Sequence, residues 1–296
     1  MENEKCNLCP HKCNINRSKT QGFCKCNENI KVALVSIHDF EEPCISGNKG
    51  SGTIFFTGCN LKCVYCQNYE ISDNMKGKEV TVERLADIML EQQERGVENI
   101  NLVTPTMYVD KIIGAIKIAK NKGLILPIVY NSGGYEKVET LEKIDPYIDI
   151  YLPDFKYSSN ELGKRYSNVN NYTDIAKKAL KFMKEKKSKN IYDNNGILKN
   201  GLIIRHMILP NNVENTKDVV RWIKQNLGEE TCISIMAQYF PTHKSKLFAE
   251  INRKITQEEL DEVEEFLIEQ NMLNGFIQEL GEHEEEYVPN FNMDNI

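Results

Sequence analysis

The chain has 296 residues, of which 41% are apolar and 27% are charged, so it has the composition of a globular protein and not of a disordered or fibrous one. Its formal net charge of −6 argues against bulk nucleic acid as the main partner, because phosphate binding requires a basic surface. The sequence shows no apolar secretion signal and no run of about 18 apolar residues, so we expect a cytoplasmic protein without a membrane span.

Residues 1 to about 30 are rich in Cys, Asn and Lys and have little apolar periodicity, which predicts a small lobe organised by metal. We assign residues 1–50 to this cysteine-rich metal-binding lobe and a linker, and residues 51–296 to a second domain. All but one of the ten cysteines lie between Cys6 and Cys66. In a reducing compartment this clustering favours metal binding over a disulfide framework.

From residue 53 onward, short apolar runs alternate with amphipathic segments, which is typical of βα units in a parallel sheet. The predicted strands are 53–57, 99–103, 126–131, 148–153, 202–207 and 232–237. Apolar spacings of three and four residues predict helices at 82–95, 109–121, 136–144, 174–187, 216–226 and 257–270. Six such pairs predict an α/β fold, a partial (βα)6 TIM-type barrel preceded by the small lobe.

In a barrel of this kind, the chemistry lies at the carboxyl ends of the strands. Three thiols, those of Cys59, Cys63 and Cys66, fall within eight residues directly after the first predicted strand and a glycine. A cubane [4Fe–4S] cluster usually takes four cysteine ligands, so a loop with three leaves one iron open to another ligand. The spacing therefore predicts a catalytic cluster.

The spacing C-x3-C-x2-C, with an aromatic residue before the last cysteine, resembles the motif of radical S-adenosylmethionine (SAM) enzymes. The chain is most similar to an uncharacterised branch that resembles pyruvate formate-lyase-activating enzymes, through the segments SGTIFF, CQNYE, VTPT, VYN, DIYLPDFKY and AQY. The resemblance implies that the open iron chelates SAM, that one electron cleaves it, and that the resulting 5′-deoxyadenosyl radical abstracts hydrogen from a substrate.

Position by position, the resemblance implies that Tyr65 lies against adenine. It places Thr104, Pro105 and Thr106 where activating enzymes commonly carry a Gly-Gly-Glu segment that receives the SAM amine, so this chain departs from the pattern there. Strand-end polar groups around the cofactor or substrate are expected at Asn131, Asp154 and Lys156. Arg205 is expected to pair with the SAM carboxylate, and the alternative is a structural ion pair inside the barrel.

A second cysteine group comprises Cys6, Cys9, Cys13 and then Cys24 and Cys26. Four thiols would close a zinc or [4Fe–4S] site, with Cys24 as the expected fourth ligand and Cys26 or His11 as substitutes. The alternative is a set of buried, reduced thiols. Sequence does not name the metal.

Three functions remain open at this point. The first is a radical SAM enzyme with a protein substrate, similar to a glycyl radical enzyme activase, and the second acts on a small molecule or RNA. The third is a non-enzymatic zinc or iron–sulfur module. The resemblance also implies a low-potential electron donor such as flavodoxin or ferredoxin, and destruction of the exposed cluster by oxygen under aerobic conditions.

Overall fold

The computed structural model describes residues 5–281 and 288–296. Its strands in these residues are β1 (Ile30–His38), β2 (Ser51–Phe56), β3 (Lys78–Val80), β4 (Ile100–Val103), β5 (Ile128–Ser132), β6 (Ile150–Pro153), β7 (Ile191–Tyr192), β8 (Leu198–Met207), β9 (Cys232–Met236) and β10 (Gly275–Ile277). The helices are α1 (Pro43–Ser46), α2 (Tyr69–Ser72), α3 (Val82–Glu94), α4 (Val109–Asn121), α5 (Val138–Ile144), α6 (Asn160–Ser167), α7 (Tyr172–Lys186), α8 (Val213–Leu227) and α9 (Gln257–Glu269).

The sheet order is β10-β9-β8-β6-β5-β4-β2-β1-β3, and β7 pairs with β8 outside this path. From β2 to β10 all neighbours are parallel, whereas β1 pairs antiparallel with both β2 and β3. The sheet therefore remains open, and the partial barrel expected from the six strand–helix pairs is confirmed. The strand β10 extends the parallel series by one, and β1 lies in the sheet although its residues belong to the segment predicted as lobe and linker.

The central strands are buried on both faces, as expected for a parallel sheet with helices outside and a packed interior. Side-chain caps start several helices. Thr81 accepts a hydrogen bond from the Arg84 amide at the start of α3, and Thr256 forms a capping box with Glu259 at the start of α9. None of the described helices combines the length and apolar character needed to cross a bilayer.

The amino-terminal lobe packs on the carboxyl ends of the parallel strands. His11 Nε2 lies 2.9 Å from the carbonyl oxygen of Asn60. The lobe also contacts helix α5, where Thr140 Oγ1 donates to the carbonyl of Leu8 across 2.7 Å. The lobe therefore contacts both the loop after β2 and helix α5, directly beside the predicted cluster loop.

Candidate active site

The cysteine loop follows β2 through a turn that requires glycine. Gly58 has φ +88°, and a Cβ added there would lie 2.2 Å from Cys26 Sγ. Beyond the turn, the Lys62 amide donates to the carbonyl of Ser167 across 3.0 Å, and the Val64 amide donates to the carbonyl of Tyr166 across 2.8 Å. These backbone bonds fix the loop against the end of α6, so the three cysteines project from a supported segment.

The three cysteines are partly exposed, and two of their thiols contact hydroxyl groups. Cys63 Sγ lies 3.0 Å from Ser167 Oγ, and Cys66 Sγ lies 3.2 Å from Ser72 Oγ. Burial, reinforced by the neighbouring thiols, raises the pKa of Cys59 to about 12. Burial likewise raises the pKa of Cys66 to about 11. Metal ligation at this loop must therefore displace protons from the thiols.

The donor set fits a cluster better than a single ion. Among residues 5–281 and 288–296, no three His, Cys, Asp or Glu side chains are arranged to hold one metal ion. A cubane cluster binds each thiolate to a different iron atom, so its ligands need not converge on one point. Three thiolates on one loop satisfy three irons and leave the fourth for a ligand from outside the loop.

A cavity of about 610 Å³ opens beside the loop, within the range of about 300–1,000 Å³ that is usual for ligand sites. Cys63, Tyr65 and Cys66 form one side of its wall. The wall also carries the strand-end residues expected from sequence, namely Asn131, Asp154, Lys156 and Arg205. In the described part of the chain this wall includes Val103 but not Thr104, Pro105 or Thr106.

A chain of short polar contacts connects Tyr65 to the Cys63 thiol. The Tyr65 hydroxyl lies 2.6 Å from the Tyr157 hydroxyl, which lies 2.7 Å from Ser167 Oγ, the same atom that contacts Cys63. Burial raises the pKa of Tyr65 and of Tyr157 well above 10, so both phenols stay protonated. Neither Tyr157 nor Ser167 was predicted as a site residue, although Tyr157 ends the segment DIYLPDFKY, because only the fold brings the two hydroxyls to the cysteine loop.

Residues 104–106 adopt an unusual backbone. Thr104 has φ +59°, a left-handed conformation that β-branched residues rarely adopt, and its amide donates to the carbonyl of Asn131 across 2.8 Å. The Thr106 hydroxyl donates to Glu136 Oε1 across 2.7 Å and is buried. The segment departs from the Gly-Gly-Glu pattern in sequence, yet it has a glycine-like backbone and a carboxylate beside it, which Glu136 supplies.

Arg205 lies at the centre of the charged wall. Its Nε donates to Asp154 Oδ1 across 3.0 Å, its Nη1 to Glu41 Oε2 across 3.1 Å and its Nη2 to Asn131 Oδ1 across 2.6 Å. This geometry is that of the structural ion pair named as the alternative for Arg205. The three contacts use three of the five guanidinium N–H groups.

The opposite charges of Asp154, Lys156 and Arg205 stabilise one another in the cavity wall. Burial alone raises the pKa of Asp154, but Lys156, whose Nζ lies 2.6 Å from Asp154 Oδ2, and Arg205 outweigh it and hold the pKa below its ordinary value. Burial opposes the charge of Lys156 in the same way, and Asp154 restores it, so the pKa of Lys156 lies above its ordinary value. All three groups are therefore charged at neutral pH.

Two carboxylates in the cavity wall were missed by sequence analysis. Glu41 and Glu42 follow β1 and approach the barrel interior from the amino ends of the parallel strands. Glu41 accepts from Asn101 Nδ2 across 3.0 Å. Glu42 Oε2 is buried without a hydrogen-bond partner among the described residues, and burial raises its pKa. Two adjacent glutamates before a proline carry no motif, so only the fold could identify them.

The sequence of the chain is similar to those of several known proteins. A model of the radical SAM superfamily matches residues 53–223. An uncharacterised protein of Methanocaldococcus jannaschii is 32% identical over 278 residues, which cover 90% of this chain and 75% of the relative. The pyruvate formate-lyase-activating enzyme of Clostridium pasteurianum is 27% identical over 136 residues, which cover 44% of this chain and 56% of that enzyme.

A crystal structure of Streptococcus suis SuiB bound to the precursor peptide SuiA has the same fold, with a TM-score of 0.52 at 15% identity. The match covers 75% of this chain and 46% of SuiB, so the chain spans less than half the length of that protein. The family model covers more than half of the chain and includes the three-cysteine loop. The chain therefore belongs to the radical SAM superfamily.

Proposed function

We propose that this radical SAM enzyme cleaves SAM at a [4Fe–4S] cluster held by Cys59, Cys63 and Cys66, and abstracts hydrogen from a protein substrate. The observation that carries the proposal is the position of the three-thiol loop at the wall of a cavity lined by charged strand ends. The polypeptide substrate is supported by similarity to a pyruvate formate-lyase-activating enzyme and to a putative glycyl-radical enzyme activating enzyme of Methanocaldococcus jannaschii, the latter 29% identical over 144 residues.

A cluster bound at these three cysteines would supply one-electron chemistry, which would cleave SAM to methionine and a 5′-deoxyadenosyl radical that could take hydrogen from the substrate. The loop contributes three thiolates and contains no fourth cysteine. The Tyr65–Tyr157–Ser167 contacts orient the Cys63 side of the loop. The cavity wall encloses the space in which the reacting atoms would meet.

The charged wall suits the polar parts of SAM. A guanidinium that already contacts Asp154, Glu41 and Asn131 is rigid, and its remaining N–H groups can bind a carboxylate without losing side-chain entropy. Tyr65 offers an aromatic side chain to adenine, and Asn131 offers an amide to the ribose or the methionine moiety. The carbonyl groups of residues 104–106 would accept from the SAM amine.

Activity requires an electron from outside the chain. We assign this role to a low-potential one-electron protein such as flavodoxin or ferredoxin. A pale or colourless protein after exposure to air, with loss of SAM cleavage, is expected for a cluster with an open iron.

The experiment compares wild type with Cys63→Ala and Cys232→Ala after anaerobic reconstitution with iron and sulfide. Cys232 is a buried thiol in β9, outside the cavity wall, so its variant controls for loss of a cysteine. With dithionite and SAM, wild type and Cys232→Ala should form 5′-deoxyadenosine, and Cys63→Ala should form none. Full activity of Cys63→Ala would overturn the assignment of the cluster.

The substrate class requires a separate measurement. Reduced enzyme and SAM are mixed with a glycyl radical enzyme encoded in the same genome, and the radical is sought by electron paramagnetic resonance. A protein-based glycyl signal supports the proposal. SAM cleavage without any protein radical, but stimulated by a small molecule or RNA, would reject the protein substrate and leave the SAM chemistry in place.

A further inference from the structure

A second site lies in the amino-terminal lobe. Four cysteines from separate turns line one small cavity of about 10 Å³, together with Arg17; these are Cys6, Cys9, Cys13 and Cys24. The lobe achieves this with tight turns. The Asn14 amide donates to the carbonyl of Cys6 across 2.9 Å, and the Lys12 amide donates to the carbonyl of Cys9 across 3.1 Å, with φ above +40° at both Lys12 and Asn14.

The cavity excludes the alternative ligands. Cys26 Sγ lies 3.4 Å from the carbonyl of Thr57 and 3.5 Å from the carbonyl of Cys24, and it packs against Gly58. His11 Nε2 is held by the carbonyl of Asn60 at 2.9 Å, and its ring stacks on Phe23 with a centroid distance of 3.8 Å. Neither residue lines the cavity in the described structure, whereas Cys24 does.

Two further observations indicate an occupant. Arg17 Nε and Nη2 are buried without a hydrogen-bond partner among the described residues, although Nη1 donates to the carbonyl of Met107. A buried guanidinium with unpaired donors is costly unless negative charge lies beside it. Glycine at position 22 allows the backbone to approach the Cys13 thiol closely, since a Cβ added there would lie 2.9 Å from Cys13 Sγ.

We propose that Cys6, Cys9, Cys13 and Cys24 hold a metal centre with closed four-thiolate coordination, separate from the SAM-binding cluster, with Arg17 as its counter-charge. No three donor side chains of the described residues converge on one ion, whereas a [4Fe–4S] cluster binds each thiolate to a different iron, so we assign a [4Fe–4S] cluster to this site. With four thiolates it carries net negative charge, which meets the donors of Arg17. Four cysteine ligands leave no open coordination position, so the centre does not bind SAM. It holds the turns that present His11 to the cluster loop at Asn60.

The test removes the first cluster and asks what metal remains. The full chain with Cys59, Cys63 and Cys66 all changed to Ala is purified anaerobically, and zinc, iron and sulfide are measured. About four irons per chain with matching sulfide and a charge-transfer absorption band are the expected result, and about one zinc ion without iron would reject the cluster. Metal content no higher than in a chain that also lacks Cys6, Cys9, Cys13 and Cys24 would overturn the proposal.

A matched pair in otherwise wild-type protein locates the site. Cys24→Ala should lose the lobe metal, whereas Cys26→Ala, two residues away and equally buried, should keep it. Equal metal content in the two variants contradicts the assignment. If Cys24→Ala does not fold, Arg17→Met leaves every ligand in place and should weaken metal retention against a chelator on the order of tenfold, with Arg17→Lys less affected. Unchanged retention in Arg17→Met would reject the role of Arg17.

Discussion

Arg205 and Asp154 are joined twice, by their side chains and by their backbones. Arg205 Nε donates to Asp154 Oδ1 across 3.0 Å, and the two residues form an isolated parallel bridge where the β6–β8 pairing ends. The Phe155 amide continues the pairing by donating to the carbonyl of Arg205 across 2.8 Å. The charged wall of the cavity therefore also joins the two strands, so changes in its charge affect both the fold and the site.

Asp154→Asn should lower the free energy of unfolding by about 3 kcal/mol, because it leaves Arg205 and Lys156 buried with one carboxylate fewer. The matched change Asp87→Asn breaks an exposed ion pair with Lys122, 2.8 Å long, and should cost less than about 1 kcal/mol. Urea denaturation of both variants provides the comparison. Equal losses would show that the buried network adds nothing to stability.

Thr104→Gly should be more stable than Thr104→Ala by on the order of 1 kcal/mol, because only glycine adopts φ near +59° without a steric cost. Alanine removes the hydroxyl and the branch but keeps Cβ, so it isolates the backbone effect. The midpoints of chemical denaturation of Thr104→Gly and Thr104→Ala measure this difference in stability. An alanine variant as stable as the glycine variant would mean that the backbone at this position is not strained.

The repeating part of the fold could be predicted from sequence, whereas the residues of the site that come from loops could not. The six predicted strands and six predicted helices correspond to elements of the structure, because periodic burial leaves a periodic pattern. The strand β1 contains the continuous apolar run Val32–Val35, but a strand before the first βα unit has no place in the barrel pattern, so its segment was assigned to the lobe and linker. The strand β10 has three residues, too few for a periodic signal.

The same distinction holds within the site. Cysteine spacing singled out the loop of Cys59, Cys63 and Cys66 as a predicted cluster site. Sequence favoured Cys24 over Cys26 as a fourth metal ligand, and Cys24 lines the lobe cavity. Glu41 and Glu42 enter from the opposite end of the barrel, and Glu136 brings a buried carboxylate to Thr106. Such contacts depend on how strands and loops pack, which no local pattern records.

Glu136 should make the stability of the protein depend on pH. Burial raises its pKa from 4.5 to about 7, although Thr106 and Tyr130 donate hydrogen bonds to the carboxylate. The folded state therefore holds this proton more tightly than the unfolded state. The resulting stabilisation is complete below the unfolded pKa of 4.5 and is lost as pH rises through about 7.

Glu136→Gln removes that titration, so the decrease in melting temperature of wild type between pH 5 and pH 8 should be smaller in the variant. Thermal unfolding followed by circular dichroism at several pH values measures the difference. Parallel curves for the two proteins would show that Glu136 does not titrate in this range. Glu139→Gln, on an exposed position of α5, controls for loss of a carboxylate.

Asp73 connects the lobe, the cluster loop and the segment after β9. Its carboxylate lies 2.7 Å from Lys25 Nζ, 3.6 Å from Lys62 Nζ and 3.3 Å from Lys244 Nζ. The hydrogen bond from Lys25 and the nearby charge of Lys62 hold its pKa well below the usual 3.8. Its stabilisation is present above that usual value and is lost as pH falls below it.

Asp73→Asn should therefore loosen the lobe more than it destabilises the whole chain, since a solvent-screened pair contributes about 1 kcal/mol or less. Hydrogen–deuterium exchange should become faster in residues 5–26 and 59–66 while α8 and α9 stay protected. High salt should produce the same pattern in wild type. Unchanged hydrogen–deuterium exchange in the lobe would show that Asp73 does not hold the lobe to the rest of the protein.

Residues from both ends of the open sheet contribute to the cavity wall. Its wall includes His38 and Phe40 at the β1 end of the sheet and Phe276 and Ile277 at the β10 end, and Phe40 and Ile277 are 64% and 41% exposed. A closed barrel would admit a substrate only through its mouth, so a polypeptide would have to insert a terminus or a narrow hairpin. Between two separate sheet edges, an internal stretch of backbone can be laid in laterally, with folded regions remaining on either side.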